Sequence, residues 1–250
     1  MLLKEIGQYW DTRAEGYSIS VNSQLAGDAA KHYQELLRQA KPAGEQLCCL
    51  DIGCGPGFFS ILLARDGHQV TALDYSREML KRAEANFAAA GVHPTVLVGD
   101  AQNLPFADNS FDMLVSRDLV WNLEQPVRAY SEWLRVLKPG GRVFVSDGNY
   151  YLHYYHPDYK RARELLRRGS HSCYGVDPTP INDMARDLPL SRQLRPDWDV
   201  RILTGLGFQN IQTRIHYRDY KDPDTGETRK LGSHFVLWGE KCSRGCESAE

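Results

Sequence analysis

The sequence predicts an α/β fold built on one doubly wound sheet of seven strands, mostly parallel and with one antiparallel strand. Three observations predict it. Short apolar runs alternate with amphipathic stretches of helical length over residues 45–147, a glycine-rich turn follows the first of these runs, and two apolar runs near the C-terminus are spaced as a long hairpin. Strands that alternate with helices form parallel βαβ units with right-handed crossovers.

Start and stop residues bound the elements of this alternation. The stretch Lys41-Pro42-Ala43-Gly44 ends a helix over 28–40, Ser76 is a good N-cap, and Gly91 stops the helix that Ser76 begins. The predicted strands are 47–52, 69–73, 95–98, 111–116 and 142–147, and the predicted helices among them are 58–65, 76–90 and 124–137.

The alternation lapses after Asp147 and then returns. Residues 148–196 are rich in Tyr, His, Arg and Pro and predict irregular structure with one short helix over 159–168. After residue 196 the pattern predicts a helix over 197–206 and strands near 209–217 and 232–239. Residues 221–230 are predicted to form the turn between these two strands.

Composition narrows the classes of function. The 250 residues carry 30 Lys+Arg against 32 Asp+Glu, a formal charge of -2, so the chain lacks the basic excess that favours nucleic acid. Its length suits a single domain, and we expect no membrane span, because no apolar run is long enough. The six cysteines are scattered, and the N-terminus lacks an apolar signal region, which together predict a cytoplasmic protein.

The turn Asp51-Ile52-Gly53-Cys54-Gly55-Pro56-Gly57 is the sharpest motif of the sequence. Three glycines at every second position after a strand let the backbone approach a ligand at the carboxyl end of that strand. Asp74 ends the second predicted strand, where a carboxylate can accept hydrogen bonds from both hydroxyls of a ribose. The pair predicts a nucleoside site, although an ordinary tight turn would use the same glycines.

The spacing distinguishes between nucleoside ligands. A dinucleotide fingerprint is G-x-G-x-x-G, and here Phe58 takes the place of its last glycine. Asp51 would repel a phosphate and can pair with an ammonium group, and the turn has no Gly-Lys-Ser/Thr of a phosphate-binding loop. A ligand with an adenosine and an amino acid but no phosphate therefore fits best.

Residues 45–147 resemble the class I S-adenosylmethionine-dependent methyltransferases. Beyond the glycine turn and Asp74, the matching stretches are Gly99-Asp100-Ala101, Leu104-Pro105-Phe106 with Phe111-Asp112, and Leu134 to Gly141. The early Tyr9-Trp10-Asp11 with Arg13-Ala14 and Tyr17 resembles the N-terminal cofactor lid of the small-molecule and quinone-methylating branch.

The resemblance implies a Rossmann-like methyltransferase fold, S-adenosyl-L-methionine as cofactor and a set of residues that bind it. In that family the glycine turn surrounds the methionine moiety, the residue matching Asp74 holds the ribose, and the one matching Asp100 lies near the adenine amino group. The implied cofactor-binding residues are Tyr9, Tyr17, Asp51, Gly53, Cys54, Gly55, Gly57, Phe58, Asp74, Tyr75, Ser76, Met79, Asp100, Ala101, Gln102 and Arg117.

The methyl acceptor is expected over the carboxyl end of the fourth strand and under the segment that follows the fifth. Arg117 is a candidate for an anionic substrate group, and Trp121 for the wall of the methyl pocket, because an aromatic face favours a cationic sulfonium. His153 and His156 are candidate general bases, since a phenol, hydroxyl or carbon acid needs a base whereas a thiolate or neutral amine does not. Tyr150, Tyr151, Tyr154 and Tyr155 are candidates for the substrate pocket.

We expect a single methyltransferase domain over 1–250 that divides by role. Residues 1–44 form an N-terminal helical lid, 45–147 the cofactor-binding core, 148–196 an inserted substrate lid, 197–240 the last helix and hairpin, and 241–250 a tail.

The predicted partner is a small-molecule methyl acceptor. We expect no nucleic acid, membrane or metal partner, and we expect a monomer or homodimer. The alternatives are methylation of RNA or protein, a nicotinamide-dependent oxidoreductase, and a non-catalytic cofactor-binding protein. Three weaker features remain: a basic surface, a pair of cysteines and a lone cysteine. The basic surface consists of Arg161, Arg163, Arg167, Arg168 and His171. The pair of cysteines is Cys242 with Cys246, and the lone cysteine is Cys173.

Overall fold

The computed structural model describes residues 2–165 and 174–243 and contains one seven-stranded sheet. The strands are β1 (Cys48–Ile52), β2 (Gln69–Asp74), β3 (Thr95–Val98), β4 (Phe111–Arg117), β5 (Leu137–Gly148), β6 (Phe208–Lys221) and β7 (Thr228–Lys241). Their order is β3-β2-β1-β4-β5-β7-β6. The first five are parallel and β7 runs antiparallel to both of its neighbours, so the predicted fold class is confirmed.

Helices cover both faces of the sheet. They are α1 (Leu2–Ala26), α2 (Asp28–Ala40), α3 (Phe58–Arg65), α4 (Arg77–Ala90), α5 (Pro126–Val136), α6 (Pro157–Leu165), α7 (Thr179–Asp187) and α8 (Asp197–Leu206). Trp133 of α5 and Leu203 of α8 are fully buried in the core on one face, and Leu36 of α2 and Phe59 of α3 are buried in the core on the other. Burial of both faces explains why the central strands are continuous apolar runs.

Local start and stop signals place the helices of the core where they were predicted. The hydroxyl of Ser76 accepts a hydrogen bond from the backbone N–H of Met79 at 3.0 Å, which makes Ser76 the N-cap of α4. Gly91 ends the same helix in the left-handed region, with φ of 67°. The predictions for α2 and α3 match the observed bounds, because a breaker and a glycine turn fix their ends.

The segment after β5 is more regular than predicted. The proline-rich sequence predicts irregular structure over 179–187, yet these residues form α7. Pro180 lies in the first turn of this helix, where a backbone N–H has no intrahelical partner and proline is tolerated. The predicted helix over 159–168 begins earlier, at Pro157, and is described to Leu165. Arg167, Arg168, His171, Cys173 and Cys246 lie outside the described residues.

The C-terminal hairpin is longer than predicted. β6 and β7 each have 14 residues, whereas the pairing between β5 and β7 ends at Gly148 opposite His234. Residues 228–233 of β7 and their partners 217–221 of β6 therefore project beyond the carboxyl edge of the parallel strands. This projection has its own lateral support, because Arg161 of α6 forms ion pairs with Asp222 and Asp224 at the hairpin turn.

Candidate functional site

A cavity of about 850 Å³ lies at the carboxyl edge of the sheet. Its floor is formed by the loops after β1, β2, β3 and β4, and α1 closes one side. Residues from the ranges 149–163 and 174–182, together with the projecting hairpin, form the other walls. The volume falls in the range of ligand-binding pockets, and the position is where open α/β sheets bind ligands.

The glycine turn forms part of this floor and requires glycine for two reasons. Gly53, Gly55 and Gly57 all have φ in the left-handed region, at 66°, 51° and 92°. A Cβ at Gly57 would lie 2.3 Å from the ring of Phe87, whereas a Cβ at Gly55 would meet no atom within 4 Å. Gly57 is thus needed for helix packing, and Gly55 leaves the backbone open to the cavity.

Two carboxylates, the buried Asp51 and the partly buried Asp74, hold the turn in place. Asp74 accepts hydrogen bonds from the backbone N–H groups of Gly55 and Ser76, both at 2.8 Å. Asp51 accepts from the N–H of Ser60 at 2.9 Å and from its hydroxyl at 2.6 Å. Burial raises the pKa of Asp51 to about 7 and that of Asp74 to about 6, against the opposing effect of these hydrogen bonds.

A third carboxylate follows β3. Oδ1 of Asp100 accepts hydrogen bonds from the backbone N–H of Gln102 at 2.9 Å and from its side-chain amide at 3.1 Å. Asp100 and Ala101 line the cavity, whereas Gln102 lies beneath them and accepts a hydrogen bond from the backbone N–H of Gln125. Gln102 orients Asp100 from below.

Helix α1 packs over the part of the floor that follows β2. The hydroxyl of Ser76 donates to Asp11 at 2.5 Å, and Gly7 packs so closely on Tyr75 that a Cβ would lie 2.6 Å from its ring. These contacts place the aromatic residues Tyr9, Trp10 and Tyr17 of α1 in the cavity wall, together with Arg13.

Arg117 and Asp118 form the end of β4. The guanidinium of Arg117 lies 4.4 Å from the ring centre of Phe58 and donates a hydrogen bond to Gln24 at 2.6 Å. Its Nε lies 3.5 Å from Oδ2 of Asp118, and both side chains line the cavity. The backbone of Asp118 has φ of 55°, which turns the chain sharply from the strand toward Trp121.

Aromatic side chains surround this end of the cavity. The ring centre of Trp121 lies 6.3 Å from Trp10, 5.7 Å from Tyr150 and 5.1 Å from Tyr151. The indole N–H of Trp121 donates to the carbonyl of Asp118 at 2.9 Å, and the hydroxyl of Tyr150 donates to the carboxylate of Asp118. Burial, reinforced by the charge of Asp118, raises the pKa of Tyr150 well above its usual value, so its hydroxyl stays protonated.

A buried ion network supports these residues from below. Asp147, at the end of β5, accepts hydrogen bonds from the backbone N–H of Trp121 at 3.0 Å and from Arg195 at 2.8 Å. Arg195 also pairs with Asp199 at 2.7 Å, and all three side chains of this ion network are at most 1% exposed. Burial raises the pKa of Asp147 to about 6, although the charge of Arg195 opposes the shift.

His153 reaches the cavity as a neutral ring. Its Nδ1 lies 3.1 Å from the carbonyl oxygen of Tyr150, and a carbonyl only accepts, so Nδ1 carries the hydrogen and Nε2 is the acceptor nitrogen. Burial, with a smaller effect from Arg163, lowers the pKa of His153 to about 4. The ring is therefore a weak base at neutral pH.

Five of the predicted site residues do not line the cavity: Gly57, Gln102, Tyr154, Tyr155 and His156. The hydroxyls of Tyr154 and Tyr155 donate to the backbone carbonyls of Asn182 and Arg186, on α7. For residues 154–156 the reason is a 3-10 turn over Leu152–Tyr154. This turn directs residues 150, 151 and 153 toward the cavity and the following side chains toward α7 or Tyr159.

The remaining predicted site residues line the cavity. They are Tyr9, Tyr17, Asp51, Gly53, Cys54, Gly55, Phe58, Asp74, Tyr75, Ser76, Met79, Asp100, Ala101, Arg117, Trp121, Tyr150, Tyr151 and His153.

Sequence reasoning missed the residues that long-range folding brings to the cavity. Arg218 and Tyr220 of β6 and Ser233 and His234 of β7 line it, more than 60 residues after the last predicted site residue. No local motif marks them. The one available signal was the polar and aromatic alternation of a hairpin predicted to be long.

Within the described ranges, the structure contains no cluster of three or more His, Cys, Asp or Glu arranged to hold a metal ion. In the same part of the chain, no helix combines the length and apolar character needed to cross a bilayer.

Comparison with known sequences supports the resemblance over the core. Residues 50–145 match the family described as "Methyltransferase domain". A malonyl-[acyl-carrier protein] O-methyltransferase of Erwinia pyrifoliae is 46% identical over 114 residues, which cover 45% of this chain and 41% of that protein. A demethylmenaquinone methyltransferase of Renibacterium salmoninarum is 34% identical over 148 residues, covering 57% and 58%. The chain thus spans about half the length of these curated relatives.

Solved structures extend the similarity in fold to most of the chain. A putative S-adenosyl-L-methionine-dependent methyltransferase of Methanococcus maripaludis has a TM-score of 0.62 and 22% identity, with 95% of this chain and 96% of that one covered. The [4+2]-cyclase SpnF also shares the fold, with a TM-score of 0.57, 20% identity and coverage of 85% and 81%. Residues 50–145 thus match a methyltransferase domain, and the chain shares the Rossmann-like fold of these solved structures.

Proposed function

We propose that this protein transfers a methyl group from S-adenosyl-L-methionine to a small-molecule acceptor. The observation that carries the proposal is the position of Asp51, Asp74 and Asp100 with the glycine turn on the floor of one closed-sided cavity, inside a segment that matches a methyltransferase domain. The cavity continues past the end of β4 to Tyr150 and Tyr151, which leaves room for an acceptor beside the cofactor.

The side chains at the cofactor end fit this cofactor. Carboxylates accept hydrogen bonds from hydroxyl and amino groups but repel phosphate. S-adenosyl-L-methionine has hydroxyl and amino groups and no phosphate. Asp74 would hold the ribose, Asp100 the adenine amino group, and the backbone at Gly53 and Gly55 the methionine part. When bound, the cofactor supplies an electrophilic methyl group on a sulfonium.

The residues of the chain then align the acceptor and exclude water. Trp121, Tyr150 and Tyr151 present aromatic faces near the end of β4, and aromatic faces favour a neighbouring cation. Alignment within attack distance and a dry cavity are the main contributions a protein makes to such a displacement.

A proton acceptor is present for hydroxyl or amine acceptors. We propose the carboxylate of Asp118 for this role, since Tyr150 donates a hydrogen bond to it and both side chains line the cavity. His153 also lines the cavity, with Nδ1 directed at the carbonyl of Tyr150, so we assign its Nε2 a role as a hydrogen-bond acceptor for the methyl acceptor.

The division of the chain by role extends this proposal. Residues 1–44 act as the cofactor lid through α1, 45–147 as the cofactor-binding core, and 148–196 as the substrate lid. Residues 197–240 complete the sheet. The free thiols of Cys48, Cys49, Cys54 and Cys242 support a reducing, cytoplasmic setting.

Calorimetric titration with S-adenosyl-L-methionine and S-adenosylhomocysteine tests the cofactor. Asp74→Asn should weaken binding about 10-fold or more, the effect of losing hydrogen bonds to a charged group. Glu84→Gln is the matched control, because Glu84 is an exposed carboxylate on α4 outside the cavity. Absence of binding by the unmodified protein would refute the proposal.

A labelled-methyl assay tests the acceptor. A cell extract should be divided by filtration into small molecules and macromolecules, and we expect the labelled product in the small-molecule part. Label found in protein or RNA alone would favour a macromolecular or carrier-linked acceptor, and binding without transfer to either part would favour a protein without methyltransferase activity, as the fold of a cyclase illustrates.

A further inference from the structure

The projecting part of the C-terminal hairpin presents one face to the cavity. Arg218 and Tyr220 of β6 line the cavity, and so do Leu231 and Ser233 of β7. Each pair is spaced by two residues, as expected for side chains on one face of a strand. The hairpin is therefore a wall of the cavity as well as the edge of the sheet.

Tyr220 has a buried polar group with no partner in this wall. The residue is 4% exposed, and its hydroxyl makes no hydrogen bond to any of the residues that the structure describes. Buried polar groups are nearly always hydrogen-bonded, because leaving one unpaired costs its full desolvation. A hydroxyl left unpaired beside a cavity is a candidate ligand contact.

The arginines around the hairpin fall into two groups. Arg161 and Arg229 do not line the cavity and are paired, with Asp222 and Asp158 respectively. Arg163 of α6 and Arg218 line the cavity, and within the described part of the chain neither forms an ion pair or a hydrogen bond. Of these four arginines, the two without a described protein partner are thus the two that line the cavity.

Charge is distributed unevenly along the cavity. Among the described residues, the carboxylates that line it are Asp51 and Asp74, at the ends of β1 and β2, and Asp100 and Asp118, just after β3 and β4. β6 is four strand positions from β1, which is about 19 Å at the usual spacing between strands. The hairpin end therefore offers positive charge and hydrogen-bond donors with no carboxylate among its described lining residues, whereas the carboxylates lie over the parallel strands together with Arg13 and Arg117.

We infer that Arg218, Arg163 and the hydroxyl of Tyr220 form a binding subsite for an oxyanion of the methyl acceptor. The acceptor is then a small organic anion whose carboxylate or phosphate lies at the hairpin while its methyl-accepting group lies near Asp118. This inference rests on the proposed function and narrows its substrate class. Guanidinium groups match carboxylate and phosphate oxygens in charge and geometry.

The test separates the small-molecule extract by anion exchange at neutral pH before the labelled-methyl assay. We expect the acceptor in the retained, anionic fraction. Treatment of that fraction with a phosphatase distinguishes the two oxyanions: acceptor activity that is lost indicates a phosphate ester, and activity that persists indicates a carboxylate.

Variants of the hairpin connect the result to the subsite. At limiting acceptor, Arg218→Gln should lower the transfer rate about 10-fold or more, and Tyr220→Phe about 3- to 10-fold. Lys230→Gln removes a positive charge from an exposed position of the same hairpin and should transfer at the unmodified rate. Calorimetric affinity for S-adenosyl-L-methionine should stay within about 2-fold in all three variants, because the cofactor end is a separate part of the cavity.

Three outcomes would overturn the inference. An acceptor confined to the unretained fraction would show that it is not an anion. An unchanged transfer rate in Arg218→Gln would show that this arginine does not contact it, and a large loss of cofactor affinity in that variant would assign the arginine to the cofactor. Failure of the unmodified protein to bind the cofactor at all would refute the proposed function as well and is measured separately.

Discussion

The hydroxyl of Tyr150 donates a hydrogen bond to Oδ1 of Asp118. This contact joins the segment after β5 to the end of β4, two parts of the chain that are 32 residues apart. The ring of Tyr150 also contacts Trp121, with centroids 5.7 Å apart, so one side chain positions both a carboxylate and an aromatic wall. The following predictions test this arrangement and its supports.

Tyr150→Phe keeps the ring and removes the hydrogen bond to Asp118. We expect kcat for methyl transfer to fall about 10-fold, because Asp118 loses the donor that orients its carboxylate, while affinity for S-adenosyl-L-methionine changes by less than about 2-fold. Steady-state kinetics and calorimetry measure the two effects. Tyr155→Phe is the control: this tyrosine is 44% exposed and bonds to a backbone carbonyl of α7, so kcat should not change.

The glycines of the turn should respond differently to alanine. Gly57→Ala places a Cβ against Phe87 and should destabilise the protein by about 2 kcal/mol or more in urea unfolding, from overpacking and left-handed strain together. Gly55→Ala meets no atom, so it should cost only about 1–2 kcal/mol of strain yet strongly weaken cofactor binding, because its methyl group enters the cavity. Equal cofactor affinity in Gly55→Ala and the unmodified protein would contradict the role of the turn.

The buried carboxyl of Asp51 should make stability depend on pH. Its pKa is raised by burial from 3.8 to about 7, so the folded protein binds a proton that the unfolded chain releases between these values. The stability that this proton supplies is present below about pH 4 and is lost as pH rises to 7. The asparagine of Asp51→Asn cannot titrate, so the variant does not lose this stability. Measured without cofactor, the free energy of unfolding of Asp51→Asn minus that of the unmodified protein should therefore rise by about 2–3 kcal/mol from pH 5 to pH 8.

The control for this titration is Asp222→Asn. The hydrogen bond from Arg161 lowers the pKa of Asp222 to about 2, so this carboxylate is ionised throughout the range from pH 5 to pH 8. Its removal should shift the curve of stability against pH by a constant amount. Urea unfolding at four or more pH values measures both variants, and parallel curves for Asp51→Asn would show that Asp51 does not bind the proton.

Arg195→Met should be the most destabilising of these substitutions. It leaves Asp147 and Asp199 buried without their shared cation, and removal of one partner from a buried ion pair costs about 3–5 kcal/mol. Because Asp147 also accepts the backbone N–H of Trp121, the cavity wall should loosen with it. Arg192→Met, at an exposed position nearby, should change the free energy of unfolding by less than about 0.5 kcal/mol.

The sequence alone determined the core fold and predicted the residues that meet at the proposed cofactor end of the candidate site. The signals that fix α2, α3 and α4 are local: a breaker, a glycine turn, the N-cap Ser76 and the stop at Gly91. Asp51, Asp74 and Asp100 could be grouped before any coordinates, because the carboxyl ends of adjacent parallel strands meet at one edge of a sheet.

Only the tertiary structure shows which side chains line the proposed acceptor end of the cavity. Whether Tyr150 or Tyr154 faces the cavity depends on one 3-10 turn and on packing against α7, which the prolines of that segment concealed. The contributions of Arg218 and Tyr220 depend on how far β6 and β7 pair beyond β5, and that pairing is stabilised by contacts with α6 far along the chain. Such contacts join residues that are far apart in the sequence. Periodicity and spacing describe only the neighbourhood of each residue, so they could not reveal these contacts.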